Sequence, residues 1–225
     1  MEAIQIIRDT APFPETERVS EAQVNFYFDR SERPYGDGTQ YMAVVAEVEL
    51  PAEEGREDDV NEVKALALPA VKEYRIGQIG EYDRSSNVNS FSLGAVSMWL
   101  TVDERQRLAT QISANEAIGR ESMSKWFGGH EFSFPVAAWR QMLVALEVYA
   151  GDALNVTESH KAAVNALEDT DEVLAYDFTA GYPEKLAFPY PGPEPETEEE
   201  PGEQEEEPVE EPAVEPGNEP KGEES

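Results

Sequence analysis

The two histidines, His130 and His160, are the residues best suited to metal binding or proton transfer, but they lie thirty positions apart with no HxxxH or HxxEH spacing. A metal centre built on either would have to recruit carboxylates from elsewhere in the chain. The sequence places His130 just after a hairpin turn and His160 in the first turn of a helix, so surface or capping roles are expected for both. A hydrolytic triad needs Ser, His and an acid brought together; all three types are present, but no GxSxG elbow. The glycine stretches YGDGTQ at 35–40 and FGGHEF at 127–132 lack the spacing that cradles phosphate and read as turns. Between Asp29 and Asp37 the acids offer calcium-ligand types without the spaced D-x-[DN]-x-[DN]-G set. Asn155-Val156-Thr157 matches a glycosylation sequon and reads more simply as a helix N-cap. With no cysteine there is no disulfide, thiolate metal site or cysteine nucleophile. The sequence therefore assigns no catalytic, cofactor-binding or metal-ligating residue, and no cofactor.

Aromatic residues offer a different chemistry. Trp99, Trp126 and Trp139, with Phe91, Phe132, Phe134, Tyr149 and Tyr176, could line a carbohydrate site. At their strand and helix positions a core role is the stronger expectation, because each ring buries a large area. Tyr176, Phe178 and Leu186 read as a C-terminal latch packed on a sheet.

The elements that must position these side chains follow from periodicity. Ala3 to Ile7 reads as a short strand, Val24 to Phe28 as an aromatic-rich one, and Tyr41 to Leu50 as a third with apolar and acidic residues alternating at its end. The turn formers between Asp29 and Gln40 predict a long loop joining the last two. Residues 1–50 thus form a β-rich segment too small for a large core of its own, expected to extend another sheet or pack on a neighbouring chain. Residues 51–72 read as a charged linker and helix start. Val60, Val63, Ala67, Val71 and Tyr74 share one helical face, but Pro69 predicts that the helix proper covers about 69–82. A hairpin around Gly94 comes next, and then a helix from Val102 to about Ile118 opened by a Thr101–Glu104 capping box and stopped at Gly119. A second hairpin turns at Gly128-Gly129, and Pro135 opens a long helix with Val136, Trp139, Leu143, Leu146 and Tyr149 on its core face. Thr157 is expected to cap a separate helix ending near Leu167, and Thr170 a short last one. The fold class is α+β: a small antiparallel sheet of two hairpins covered by helices in an α+β domain over 73–188, preceded by the β-rich N-terminal extension.

The chain has 225 residues with 48 acids against 17 bases, a net charge of −31, and the charge is uneven. Residues 189–225 hold 15 Glu, one Lys and nine of the 16 prolines, or −14; the other 188 residues carry −17. That tail cannot bury enough apolar surface to offset its ordering entropy and is expected to be disordered. The overall charge argues against wrapping nucleic acid, since no cationic surface is available to release phosphate counterions. No apolar run approaches the ~18–20 residues that span a bilayer. The first residues lack the basic and apolar regions of a signal peptide, so a soluble cytoplasmic protein is expected.

The ordered set VNSFSLG at 88–94, WL at 99–100, the Arg105 helix, the KWF and EFSFP pieces and YDFTAGYPEKLAF at 176–188 resembles a domain-of-unknown-function family found in bacteriophage and prophage tail-fibre-associated and other tail proteins. The resemblance covers about Glu73 to Phe188. It implies a non-enzymatic virion or assembly protein that contacts phage tail or fibre proteins, located in the bacterial host cytoplasm during assembly or in the virion, and it transfers no functional residues. The strands at 24–28 and 41–50 would then offer sheet edges to a partner. A second reading makes the chain an acidic regulator that binds a basic protein through 189–225.

Overall fold

The computed structural model describes residues 5–54 and 57–190, and the α+β class is what it shows. Four strands open the chain: β1 (Gln5–Asp9), β2 (Thr16–Arg18), β3 (Gln23–Tyr35) and β4 (Gly38–Glu49), forming an antiparallel sheet in the order β1-β4-β3-β2. The expected long loop is absent. β3 runs on to Tyr35, β4 begins at Gly38, and Gly36-Asp37 alone turns the chain. Gly36 has φ +57 at the first turn position, where the two-residue hairpins that suit strand twist require glycine. The turn formers mark a hairpin tip rather than a loop. The segments 24–28 and 41–50 are consequently the central strands, not free edges; the edges are β1 and β2.

Alternation along β3 and β4 divides the sheet into two faces. Val24, Phe26 and Phe28 with Val44, Ala46 and Val48 face inward, while Tyr27, Ala43 and Val45 face outward under Ile7 and Phe13. The inner face is covered by α1 (Val60–Arg84), so the N-terminal segment builds its core with its own chain rather than with a neighbour's sheet. Asp59 caps α1 by accepting the Asn61 N–H at 2.9 Å. The helix passes through Pro69 instead of starting there: Val63, Ala67, Val71 and Ile79 are buried on one side while Pro69 is exposed on the other. The missing hydrogen bond costs about 3 kcal/mol; apolar burial along the opposite face offsets it.

The second half follows the periodicity closely. β5 (Phe91–Leu93) and β6 (Val96–Met98) turn at Gly94, and α2 (Val102–Ala117) opens with the Thr101–Glu104 box, reciprocal as expected. β7 (Ser122–Phe127) and β8 (His130–Pro135) turn at Gly128 and Gly129, both with positive φ, as a type I′ turn demands. The two hairpins stand in separate sheets. α3 (Val136–Ala166) is one helix of 31 residues, so Thr157 caps nothing and lies buried mid-helix. The N-cap of α4 (Thr170–Ala175) is Asp169, one residue before the expected Thr170. A last strand, β9 (Ala187–Phe188), pairs parallel with β5.

Helix α3 connects the cores. Its first half supplies Val136, Trp139, Met142, Leu143 and Leu146 to a core with β5, α2 and the β7–β8 hairpin. Its far end supplies Val164 to the core under the four-stranded sheet, where Val173 of α4 also packs. The described residues reach Tyr190, two positions into the segment expected to be disordered, and its ring lies 5.0 Å from both Phe132 and Phe134. The disordered-tail expectation otherwise falls on 191–225, and part of the first expected strand on 1–4, outside the described residues.

Candidate functional site

The bulge that starts the hairpin arm is built into β3. Register shifts between Phe28 and Ser31, and Asp29 there has φ +47, the one described non-glycine residue with positive φ. Asp29 accepts a hydrogen bond from the Tyr74 hydroxyl of α1, which with burial raises the Tyr74 pKa well above the ordinary phenol value, burial being the larger cause. The bulge turns the two strands away from the core and pins the turn to the helix. From there the ribbon projects roughly 20 Å at about 3.3 Å per residue. Every residue from 29 to 39 is exposed. Beyond Tyr41 neither β1 nor β2 flanks it, and Arg33 bridges its strands by donating to the Gln40 side chain at 2.7 and 3.1 Å. Tyr35, 66% exposed, sits at the tip.

At the base of the arm, on the outer face of the sheet, lies an open concavity of about 310 Å³ lined by Pro12, Phe13, Arg30, Tyr41 and Met42 among others. Phe13 stacks on Tyr27 at 5.2 Å and so carries the 10–15 segment across the outer face. The Tyr27 hydroxyl donates to Glu17 at 2.6 Å. An exposed ribbon with an aromatic tip beside an apolar-edged hollow is a surface suited to another protein's chain. The sequence signal was present in Asp29–Gln40 as strand-compatible residues around a Gly-Asp-Gly turn, but the concentration of turn formers hid it. No family model, no curated protein and no solved structure matches the chain.

The residues singled out for chemistry are dispersed. His130 is exposed beside Phe132. His160 is neither in a first turn nor on the surface: it is half-buried late in α3, and both ring nitrogens are engaged. The Ala180 carbonyl accepts from Nε2 at 2.9 Å, which leaves Nδ1 to accept from the Tyr176 hydroxyl at 2.8 Å. One turn earlier the Thr157 hydroxyl donates to Asp83 at 2.9 Å and lies 3.0 Å from the Tyr182 hydroxyl. Arg75 donates to the Tyr176 carbonyl at 2.5 Å and stacks 4.7 Å from the Phe178 ring; burial lowers its pKa. The 176–182 segment is thus strapped to α1 and α3, as a latch should be, with Tyr176 and Phe178 on the first core and Leu186 on the second. The sequon Asn155-Val156-Thr157 lies inside α3.

Most of the aromatics are core. Trp139 is buried and donates its indole N–H to the Met123 carbonyl at 2.9 Å; Tyr149 does the same to Val88 at 2.7 Å. Trp126 alone among the tryptophans is open, at 65% exposure. Among the described residues no group of three or more His, Asp and Glu is arranged to hold a metal ion, and no helix is long and apolar enough to cross a membrane.

Proposed function

We propose that this chain is a non-enzymatic bacteriophage or prophage structural or assembly protein, associated with the tail or its fibres, that works by protein–protein contact. The observation that carries the reading is the projecting β3–β4 arm. An isolated two-stranded hairpin is at best marginally stable in water, and this one presents both faces, a tyrosine tip and a hollow at its base. Such a ribbon gains order by laying its backbone or its side chains against another chain. The motif set over 73–188 supports the phage assignment, and the arm supplies the means of contact. It takes the place of the edges first expected at 24–28 and 41–50.

The test is mass spectrometry of purified virions or induced tail particles made with the full-length chain and with a shortened arm. In the shortened variant residues 34–39 are replaced by Asn-Gly, which joins Arg33 to Gln40 by a two-residue turn and removes Tyr35. The full-length chain should co-purify with tail proteins, as a virion component or with assembly intermediates. The shortened variant should fold normally and lose at least tenfold of that recovery. Undiminished recovery of the shortened variant, or recovery of neither chain with any particle or intermediate, rules the reading out.

A further inference from the structure

We propose that the groove between α2 and the β7–β8 hairpin is a binding site for an acidic saccharide, a pyranose ring bearing a carboxylate. This goes beyond contact through the arm and rests on different residues. Two open concavities, of about 750 and 380 Å³, meet at Gln111 and Lys125. Three cations line them: Arg107, Arg120 and Lys125. In a chain with 48 acids and 17 bases carboxylates are plentiful, and several cations outside the groove are neutralised by them: Arg18 by Asp58, Lys64 by Glu15 and Asp171, Arg105 by Glu147, Arg140 by Glu116. No described carboxylate lies at ion-pair distance from the three in the groove.

Lys125 is held in place rather than left loose. It is half-buried, and its ammonium donates to the Gln111 side chain at 2.5 Å and lies 5.8 Å from the centre of the Phe127 ring. Burial lowers its pKa most, and Arg107 lowers it further against the opposing pull of Glu104. An anion seated here would offset the repulsion from Arg107 and favour the charged ammonium. The acids in the neighbourhood are limited in reach. Glu104 is held in the capping box by Thr101, and Asp103 lines one end. That distribution suits one carboxylate at the cations and disfavours a continuous polyanion, which would run onto Asp103.

The rest of the lining is what a sugar needs. Gln106, Thr110, Gln111 and Asn115 offer amides and a hydroxyl that keep donor or acceptor capacity beside their internal bonds, and these suit neighbouring sugar hydroxyls. In those internal bonds Thr110 donates to the Gln106 carbonyl, Asn115 to the Gln111 carbonyl, and Gln111 accepts from Lys125. Trp126 leaves its indole 65% exposed at the second concavity, a flat apolar surface for the C–H face of a pyranose. The shallow, open form fits an oligosaccharide better than a ligand that must be enclosed.

Calorimetry and tryptophan fluorescence on the full-length chain test this with a panel of singly charged acidic saccharides: a disaccharide with one galacturonate, a disaccharide with one glucuronate and an N-acetylneuraminyl trisaccharide. Their uncharged counterparts, a tri-glutamate peptide and inorganic phosphate serve as comparisons. At least one acidic saccharide should bind, at least tenfold tighter than its neutral counterpart and than the peptide or phosphate. Trp126→Ala and Arg107→Gln should each weaken it at least tenfold. Both positions are on the surface, so circular dichroism should be unchanged and the thermal midpoint should stay within a degree or two; if either variant misfolds, Trp126→Gln and Arg107→Ser serve in its place. Failure of the whole panel overturns the proposal. So does equal binding of tri-glutamate or phosphate, which would make the groove a simple charge patch, or binding that survives loss of the indole.

Discussion

At His160 both ring nitrogens hold the segment that follows α4, and nothing in the sequence beyond the residue type signals it. Helical phase explains why: with α3 split at Thr157, His160 falls in an exposed first turn, whereas in one continuous helix it lies one turn after Thr157 and faces Tyr176, Ala180 and Tyr182. The contrast with His130 gives a direct test. Replacing His160 by Ala leaves the Tyr176 hydroxyl and the Ala180 carbonyl without their partner and should cost about 1–2 kcal/mol, whereas His130→Ala, at an exposed strand end, should stay within about 0.5 kcal/mol. Urea unfolding midpoints measure both. Equal effects would show that the 176–182 strap contributes nothing through His160. Thr157 makes the same point about reading single residues. A threonine that looks like an N-cap is buried mid-helix, satisfied by Asp83 and Tyr182, which come from opposite sides of it in sequence.

Elements with a strong local signature were legible in advance, and those decided by distant contacts were not. The Thr101–Glu104 box, the Gly94 and Gly128-Gly129 turns and the buried face of α3 all follow from spacing, because the physics that fixes them is local. The two errors of extent, at Pro69 and at Thr157, have one cause: a helix-breaking or helix-capping residue was overruled by apolar faces that pack on both sides of it. Pro69 is exposed with its missing hydrogen bond unrepaired by any core contact of its own, so Pro69→Ala should stabilise the fold by roughly 1–2 kcal/mol after allowance for the greater freedom of the unfolded chain. A loss of stability would mean that the ring itself shapes α1. The capping box makes a second prediction. The Thr101 backbone N–H, and then its hydroxyl, hold the Glu104 carboxyl below its ordinary pKa. A group whose folded pKa is depressed stabilises above its unfolded value and loses that contribution as pH falls through the folded one. Glu104→Gln should therefore be less stable than the native sequence at pH 7, with the two converging toward about pH 3, below the ordinary carboxylate range. A gap that persists in acid would assign the effect to shape rather than charge. At the arm, the proposed contact surface was hidden because turn residues are abundant in a twisted ribbon tip as well as in loops. The sequence alone does not tell the two apart.

At the scale of the whole molecule the question is whether the two cores fold as one. α3 enters the second core at Val136 and reaches the first at Val164, so a rigid helix of roughly 45 Å joins them. The C-terminal segment closes the second core from outside. Leu186 and Phe188 pack there, the Phe188 ring meets Phe91 at 5.8 Å, and Tyr190 lies against Phe132, Phe134 and the Gly94 turn. β9 also receives the backbone N–H of Ser92 at 3.0 Å, through Leu186, and that of Gly94 at 2.8 Å, through Phe188. A chain ending at Tyr190 keeps all of these contacts, and one ending at Lys185 keeps none. Burying three half-buried large side chains is worth about 3–5 kcal/mol, a large share of the 5–15 kcal/mol typical of a domain, so the shorter chain should be less stable by about that amount. All three tryptophans lie between 99 and 139, so their fluorescence reports the second core, while far-UV circular dichroism also follows the sheet and α1. If α3 couples the cores, both probes should shift together in one transition when the shorter chain is compared with the longer. If the dichroism survives after the tryptophan signal is lost, the cores unfold separately and the continuous helix does not bind them into one cooperative unit.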